Sequence, residues 1–353
     1  MKNESEIKDK HYNFCKKYLL PNIHKTILQI EDDEMKQKIT DVFSEENFKD
    51  LICSCPVDIK LADEINSLIE NVKGSYTFLT PKGYIRKKNR ENETGQFKDV
   101  ISALFLNTYL LFSDKDDSSE YVSEKFGKYK WNSYEYVQKC GLHVCPYCNS
   151  EFIYTQLESK NADTKKIGNL SLPRITIRPQ LDHFIAKEKK PLLAISLFNL
   201  VPSCKTCNVS IKHSIELNNE QFMNPLYENI YSYITFSNIY SPQNDHYSNI
   251  TGRSKNFELS VLKRKDYFEE KTFIKAKNTI DVFRIIERYE PYFDYIQFII
   301  ARELLYTKLY SKSLENDYPN LFSKGEVEKL KRAEQIKYND FIFSKIVQDL
   351  LWN

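Results

Sequence analysis

Cys145-Pro-Tyr-Cys148-Asn149 and Asn199-Leu-Val-Pro-Ser-Cys-Lys-Thr-Cys-Asn208 are the two stretches that decide how this chain is read. Each holds a C-x-x-C pair, and about 55 residues separate the pairs. A C-x-x-C pair wraps a tight turn, and two such turns can place four thiolates at the corners of a tetrahedron about 2.3 Å from a zinc ion. Cys145, Cys148, Cys204 and Cys207 are therefore read as ligands of one structural Zn2+. The other reading of the same residues is one redox dithiol and one chance pair. Cys15, Cys53, Cys55 and Cys140 lack such spacing and are expected to be small buried apolar residues. His143 and His213 flank the pairs, but four cysteines already complete a tetrahedral shell.

Between the pairs lies Gln180-Leu-Asp-His-Phe184. Hydrolysing a phosphodiester needs an activated water, a cation near the scissile phosphate, and rigid placement of both. An imidazole ordinarily titrates near neutral pH, so His183 is the candidate to take a proton from water. Asp182 offers a hard anionic oxygen suited to Mg2+ or Mn2+. Adjacent strand residues point to opposite faces, so this pair is expected where a strand ends and the backbone bends. Asn208, in the first turn of a short following helix, would add a neutral carbonyl oxygen. Taken singly, each has an ordinary explanation. A lone histidine is more often a satisfied core or surface residue, and Asn199 alone could cap a turn. Their register with two zinc-type pairs is what joins them.

Over about residues 140–230, a quarter of the chain, these motifs resemble the HNH, or His-Me finger, endonucleases that carry a zinc knuckle. The shared pattern is C-x-x-C, then Asp-His at a strand end, then Asn-Leu, then C-x-x-C followed by His or Asn with a lysine nearby. Here it reads Cys145-Pro-Tyr-Cys148, Asp182-His183, Asn199-Leu200, Cys204-Lys-Thr-Cys207-Asn208 and Lys212. The resemblance implies a ββα-metal core and cleavage of DNA to a 5′-phosphate product. It casts His183 as general base, Asp182 and Asn208 as Mg2+ ligands, and Asn199 as the asparagine that pins the loop and helps orient the base. Asn at position 208, as in the HNH domains of CRISPR effectors, favours the harder Mg2+ ion. The Pro-Tyr-Cys-Asn149 knuckle, Leu-Asp-His-Phe184 and the long helical flanks look like HNH proteins of prokaryotic anti-phage defence systems, including the Septu type. There the nuclease is paired with a separate ATPase, and such a partner is expected here, because none of the eight glycines is spaced as a P-loop. Two other readings remain open: an RNA nuclease such as a tRNA-cleaving toxin using the same site, and an inactive zinc-stapled nucleic-acid-binding or scaffold protein.

Composition bounds the rest. The 353 residues include 51 basic and 49 acidic side chains, for a net charge of +2, and 41% are apolar. That is enough to bury a core and excludes wholesale disorder. No apolar run approaches the ~18–20 residues that span a bilayer, and the polar N-terminal stretch lacks a signal-peptide core. The expectation is a cytoplasmic protein with no membrane segment. From Cys140 to His213 there are ten basic residues against five acidic ones, a net +5 that leaves −3 for the rest. A positive module in a near-neutral chain fits phosphate contacts. Lys205 and Lys212, with Lys187 and Arg178, are the candidates to touch nucleic acid; ordinary solvated side chains are the alternative. A second basic cluster, Lys82, Arg86, Lys87, Lys88 and Arg90, reads as a solvated loop or a further contact.

The expected fold class is α+β, with a ββα-metal core stapled by the four-cysteine zinc site between mostly α-helical flanks. The expected boundaries are 1–138 (helical), 139–230 (nuclease core) and 231–353 (helical). Helical spacing marks Ile59, Ile65, Leu68, Ile69 and Val72, then Phe97, Ile101, Leu104, Phe105 and Leu111. Glu151 to Leu157 and Leu172 to Leu181 read as strands. One helix is expected to end near Pro291. Ile296, Ile299, Ile300 and Leu304 form the stripe of another, and 341–352 is amphipathic.

Overall fold

Side-chain caps set the helices of the N-terminal half. Following α1 (Glu4–Tyr18), α2 (Leu20–Ile27) opens on Pro21, where a missing N–H costs nothing. Asp32, Ser44 and Asp58 accept the N–H groups of Met35, Asn47 and Leu61 at 3.0, 3.4 and 2.9 Å. These caps start α3 (Asp33–Val42), α4 (Glu45–Cys53) and α5 (Ile59–Glu70), and each contributes about 1 kcal/mol. α6 (Phe97–Ser113) buries Phe97, Val100, Ile101, Leu104, Phe105 and Phe112. Asn132 then accepts from the Tyr134 and Glu135 amides, both at 3.0 Å, to begin α7 (Ser133–Cys140). Gly141 ends that helix at φ 64°, a left-handed position open to glycine.

The computed structural model describes residues 4–78, 93–113, 131–157, 166–171, 176–212, 215–238, 258–266, 269–305, 313, 316–318 and 341–352. The Lys82 to Arg90 basic cluster, Leu172 to Arg174, and His213 lie outside them. The chain divides into two compact units. The first comprises Met1–Gly141 with Tyr154–Pro202, and the second Leu142–Ile153 with Ser203–Asn353. The segment 139–230 is thus shared between the units.

In the first unit the helices are joined by short two-stranded pieces. β1 (Tyr76–Thr77) pairs antiparallel with β2 (Thr94–Gly95), and β3 (Gln156–Leu157) with β6 (Thr176–Ile177) in the register Gln156↔Ile177. β4 (Lys166–Ile167) pairs with β5 (Leu170–Ser171). β7 (Gln180–His183) lies beside β8 (Leu200–Ser203). Only Gln156 and Leu157 of the expected 151–157 strand join a sheet. Residues near 151 instead fold back: Cys145 donates to the Glu151 carbonyl and Ile153 to that of His143, both at 2.9 Å.

The second unit opens with that knuckle, bridged antiparallel at Val144↔Phe152. A π-helical turn, Thr206–Lys212, follows the second cysteine pair. β9 (Ile234–Asn238) and β10 (Leu259–Lys263) form an antiparallel pair running from Ile234↔Lys263 to Asn238↔Leu259. Ile234, Phe236 and Asn238 face inward, at the strand period of two. Helices α8 (Glu270–Val282), α9 (Ile285–Tyr289), α10 (Phe293–Leu305) and α11 (Ser344–Trp352) complete the unit. Ile296 and Ile300 of α10 are fully buried. On α11 a buried ion pair, Lys345–Asp349, spans 2.6 Å, and the second Asp349 oxygen accepts the Phe236 amide at 2.8 Å. The molecule is mixed, mostly helical, with small sheets. Among the described residues no helix is long and apolar enough to cross a membrane.

Candidate active site and metal centre

The second unit gathers the four cysteines. Asn149, at φ 50°, donates its amide to the Cys145 carbonyl at 2.9 Å and closes the first turn. Asn208 does the same to Cys204 at 3.1 Å. The turns are held from outside. Tyr231 and Tyr289 hydroxyls donate to the carbonyls of Tyr147 and Cys148 at 2.9 and 2.7 Å, and Tyr147 stacks on Phe283 at 4.2 Å. All four sulfurs are buried and lie within 4.8 Å of one another, with Cys148 and Cys204 sulfurs 3.9 Å apart. A tetrahedron with metal–sulfur bonds of about 2.3 Å has edges of about 3.8 Å. The cluster can therefore hold a metal ion such as zinc. Of the other cysteines Cys15, Cys53 and Cys140 are buried as expected, whereas Cys55 is only half-buried, just beyond the end of α4.

Three donors converge on the sulfurs. The Cys204 amide points at Cys145 Sγ (3.4 Å), the Cys207 amide at Cys204 Sγ (3.3 Å), and Arg288 Nη1 at Cys207 Sγ (3.0 Å). Arg288 Nη2 also bonds Glu151 Oε1 at 2.8 Å. Such donors favour thiolate over thiol. Burial pushes the Cys145 thiol well above its ordinary range, so its proton leaves readily only when a cation replaces it. Burial by itself would lower the pKa of Arg288, but the sulfurs of Cys148 and Cys207 more than reverse that. Arg288, 81 residues beyond Cys207, carries no signal in the sequence. His143 is exposed and outside the cluster.

The first unit places Asp182 and His183 as the last two residues of β7, at 2% and 7% exposure. His183 Nε2 lies 2.9 Å from the Ala194 carbonyl oxygen. A carbonyl only accepts, so Nε2 carries a proton. Tyr109 of α6 packs edge-on to the imidazole, with centroids 4.4 Å apart and planes at 68°. Asn199 is wholly buried. Its Oδ1 accepts the Ile185 amide at 2.7 Å, and its Nδ2 donates to the Ile185 and Leu193 carbonyls, both at 3.0 Å. Its own carbonyl accepts from Phe184 at 2.9 Å. Asn199 therefore pins the residues after His183 to the turn that carries Ala194.

Comparison with protein-family models, with curated proteins and with solved structures finds no match for this chain. Its chemistry is read from its own geometry. Asp182, His183 and Asn199 belong to the first unit, and Asn208, Lys205 and Lys212 to the second. Lys205 is exposed, and Lys212 is only 6% exposed, which excludes an ordinary solvated lysine. Lys187 lies over the Tyr109 ring at 5.7 Å and pairs with Glu188 at 3.3 Å. Arg178 donates to the Pro179 and Ser113 carbonyls at 2.9 and 3.0 Å and lies over Tyr134, so its guanidinium is engaged within its own unit. Tyr109 joins Arg288 among the residues that spacing alone does not flag.

Proposed function

We propose that this chain is a metal-dependent endonuclease of the HNH kind, with His183 as general base for hydrolysis of nucleic-acid phosphodiesters. The observation that carries this reading is the seating of His183: one ring nitrogen is tied to the Ala194 carbonyl in a turn that Asn199 clamps, and an aspartate precedes it at the strand end. In the proposed step Nδ1 takes a proton from water. The water oxygen attacks phosphorus in line as the bond to the 3′ oxygen breaks. Tyr109 and the Ala194 carbonyl hold the ring plane. Asp182, beside His183 at the end of β7, is the proposed oxygen donor to Mg2+ or Mn2+, which when bound would neutralise charge at the phosphate.

The four-cysteine centre is assigned a structural Zn2+. Four thiolates leave no open position for substrate, and the metal would link two turns about 55 residues apart. DNA is the favoured substrate, and the resemblance to defence nucleases supports an anti-phage effector acting with a separate ATPase. The test incubates purified protein with plasmid DNA and with tRNA, in Mg2+, Mn2+ or EDTA. Metal-dependent plasmid cleavage is expected, with a loss of about 100-fold or more in His183→Ala at unchanged fold and zinc content. Undiminished cleavage by His183→Ala refutes the base assignment, and cleavage of tRNA alone moves the reading to an RNA nuclease.

A further inference from the structure

Three consecutive carbonyls in one turn of the first unit are each claimed by a buried side chain. Leu193 O accepts from Asn199 Nδ2 at 3.0 Å, and Ala194 O from His183 Nε2 at 2.9 Å. Ile195 O accepts from His11 Nε2 at 2.7 Å, across 184 residues of sequence. The next residue, Ser196, donates its hydroxyl to the Leu51 carbonyl. His11 lies on α1 and is 0% exposed. Its other nitrogen, Nδ1, accepts from the Trp131 indole N–H at 3.1 Å. An indole N–H can only donate, so Nδ1 is unprotonated and Nε2–H faces Ile195. Both ring nitrogens are therefore satisfied in a single tautomer. Burial keeps the ring neutral, with its pKa lowered to about 4.

We infer that His11 is a positioning residue for His183, acting through the Leu193 to Ser196 turn; this rests on the nuclease reading above. The Ala194 carbonyl belongs to the peptide that meets the Ile195–Ser196 peptide at a single Cα. Asn199 fixes the carbonyl before it and His11 the carbonyl after it, which leaves the Ala194 oxygen one orientation, toward His183. Without His11 the Ile195 carbonyl loses its partner in a dry interior, and the turn rotates to satisfy it. Ala194 then swings off Nε2. The His183 ring becomes free to carry its proton on Nδ1, the atom that must accept one from water. An imidazole at position 11 is thus explained by what it does to a second imidazole, through two peptide planes.

The experiment uses the full chain as wild type, His11→Gln and His11→Met. Glutamine keeps one donor for Ile195 and one acceptor for Trp131, whereas methionine fills similar volume with neither. Two readouts are taken: kcat and KM on plasmid DNA, and the His183 tautomer by nitrogen NMR of 15N-histidine protein. Wild type and His11→Gln should show the Nε2–H tautomer and similar kcat. His11→Met should show mixed tautomers and a kcat lower by about 10-fold or more at unchanged KM, since small misplacements of a catalytic group cost up to about 100-fold. Wild-type kcat with an unchanged tautomer in His11→Met overturns the inference. So does a wild-type His183 protonated at Nδ1, a measurement that stands even if His11→Met does not fold. Activity that survives His183→Ala would remove the nuclease reading instead, and the tautomer comparison, which needs no turnover, would still judge His11.

Discussion

Acid should destabilise the first unit through His11. The imidazole ordinarily titrates near 6.5; burial pulls it down to about 4 in the folded chain, with the hydrogen bond to the Ile195 carbonyl working the other way. Unfolding restores the ordinary value. Between those two values the unfolded chain binds a proton that the folded chain does not, so stability rises with pH across the window. The contribution is complete above about pH 6.5 and is lost as pH falls toward 4. Each pH unit of depression corresponds to about 1.4 kcal/mol, so the full effect is about 3 kcal/mol, a large share of a typical domain's 5–15 kcal/mol. The assay is urea unfolding of wild type and His11→Gln between about pH 7 and pH 5, followed by tryptophan fluorescence. Glutamine does not titrate, and the carboxylates common to both proteins cancel in the difference. Wild type should lose about 2 kcal/mol more than His11→Gln over that range. Parallel curves would refute the claim that His11 is held neutral by burial.

Cys207→Ser should purify with less than one zinc per chain and lose the cooperative melting of the second unit; metal analysis and calorimetry check this, and wild-type zinc content would count against a four-thiolate centre. Asn199→Ala leaves the Ile185 amide and carbonyl without their side-chain partner, and the Leu193 carbonyl with only the Ser196 amide, in a site closed to water. At about 1–3 kcal/mol for each buried unsatisfied group, partial relaxation puts the expected loss at about 3–5 kcal/mol, read by denaturant unfolding. A loss below about 1 kcal/mol would mean that the clamp is not formed.

The parts of this molecule legible in the sequence are those governed by short-range rules. The pairing of Cys145 with Cys148 and of Cys204 with Cys207 follows from turn geometry, and the stripe of Ile296 and Ile300 from helical period. The helices at 59–70 and 97–113 follow from apolar spacing, and the first of them stops at Asn71, so Val72 falls outside it. What stayed hidden depends on contacts between distant side chains and backbone carbonyls, which leave no period. His11 meets Ile195 and Arg288 meets Cys207 across 184 and 81 residues. Charge counting likewise cannot report burial: Lys212 and Lys205 look alike in the sequence, yet one is buried and the other exposed. The strand expected over 151–157 shrank because its first residues pair back onto the knuckle.

The chain passes from one unit to the other three times, after Gly141, Ile153 and Pro202. On a ribosome adding about 5–20 residues per second, Cys148 emerges about 3–11 s before Cys204, and His11 about 9–37 s before Ile195. Neither the thiol cluster nor the turn that seats His183 can close on the nascent chain until its later half is made. Helices that start on their own caps can form during that wait, while the chemistry-bearing residues are among the last to find their partners.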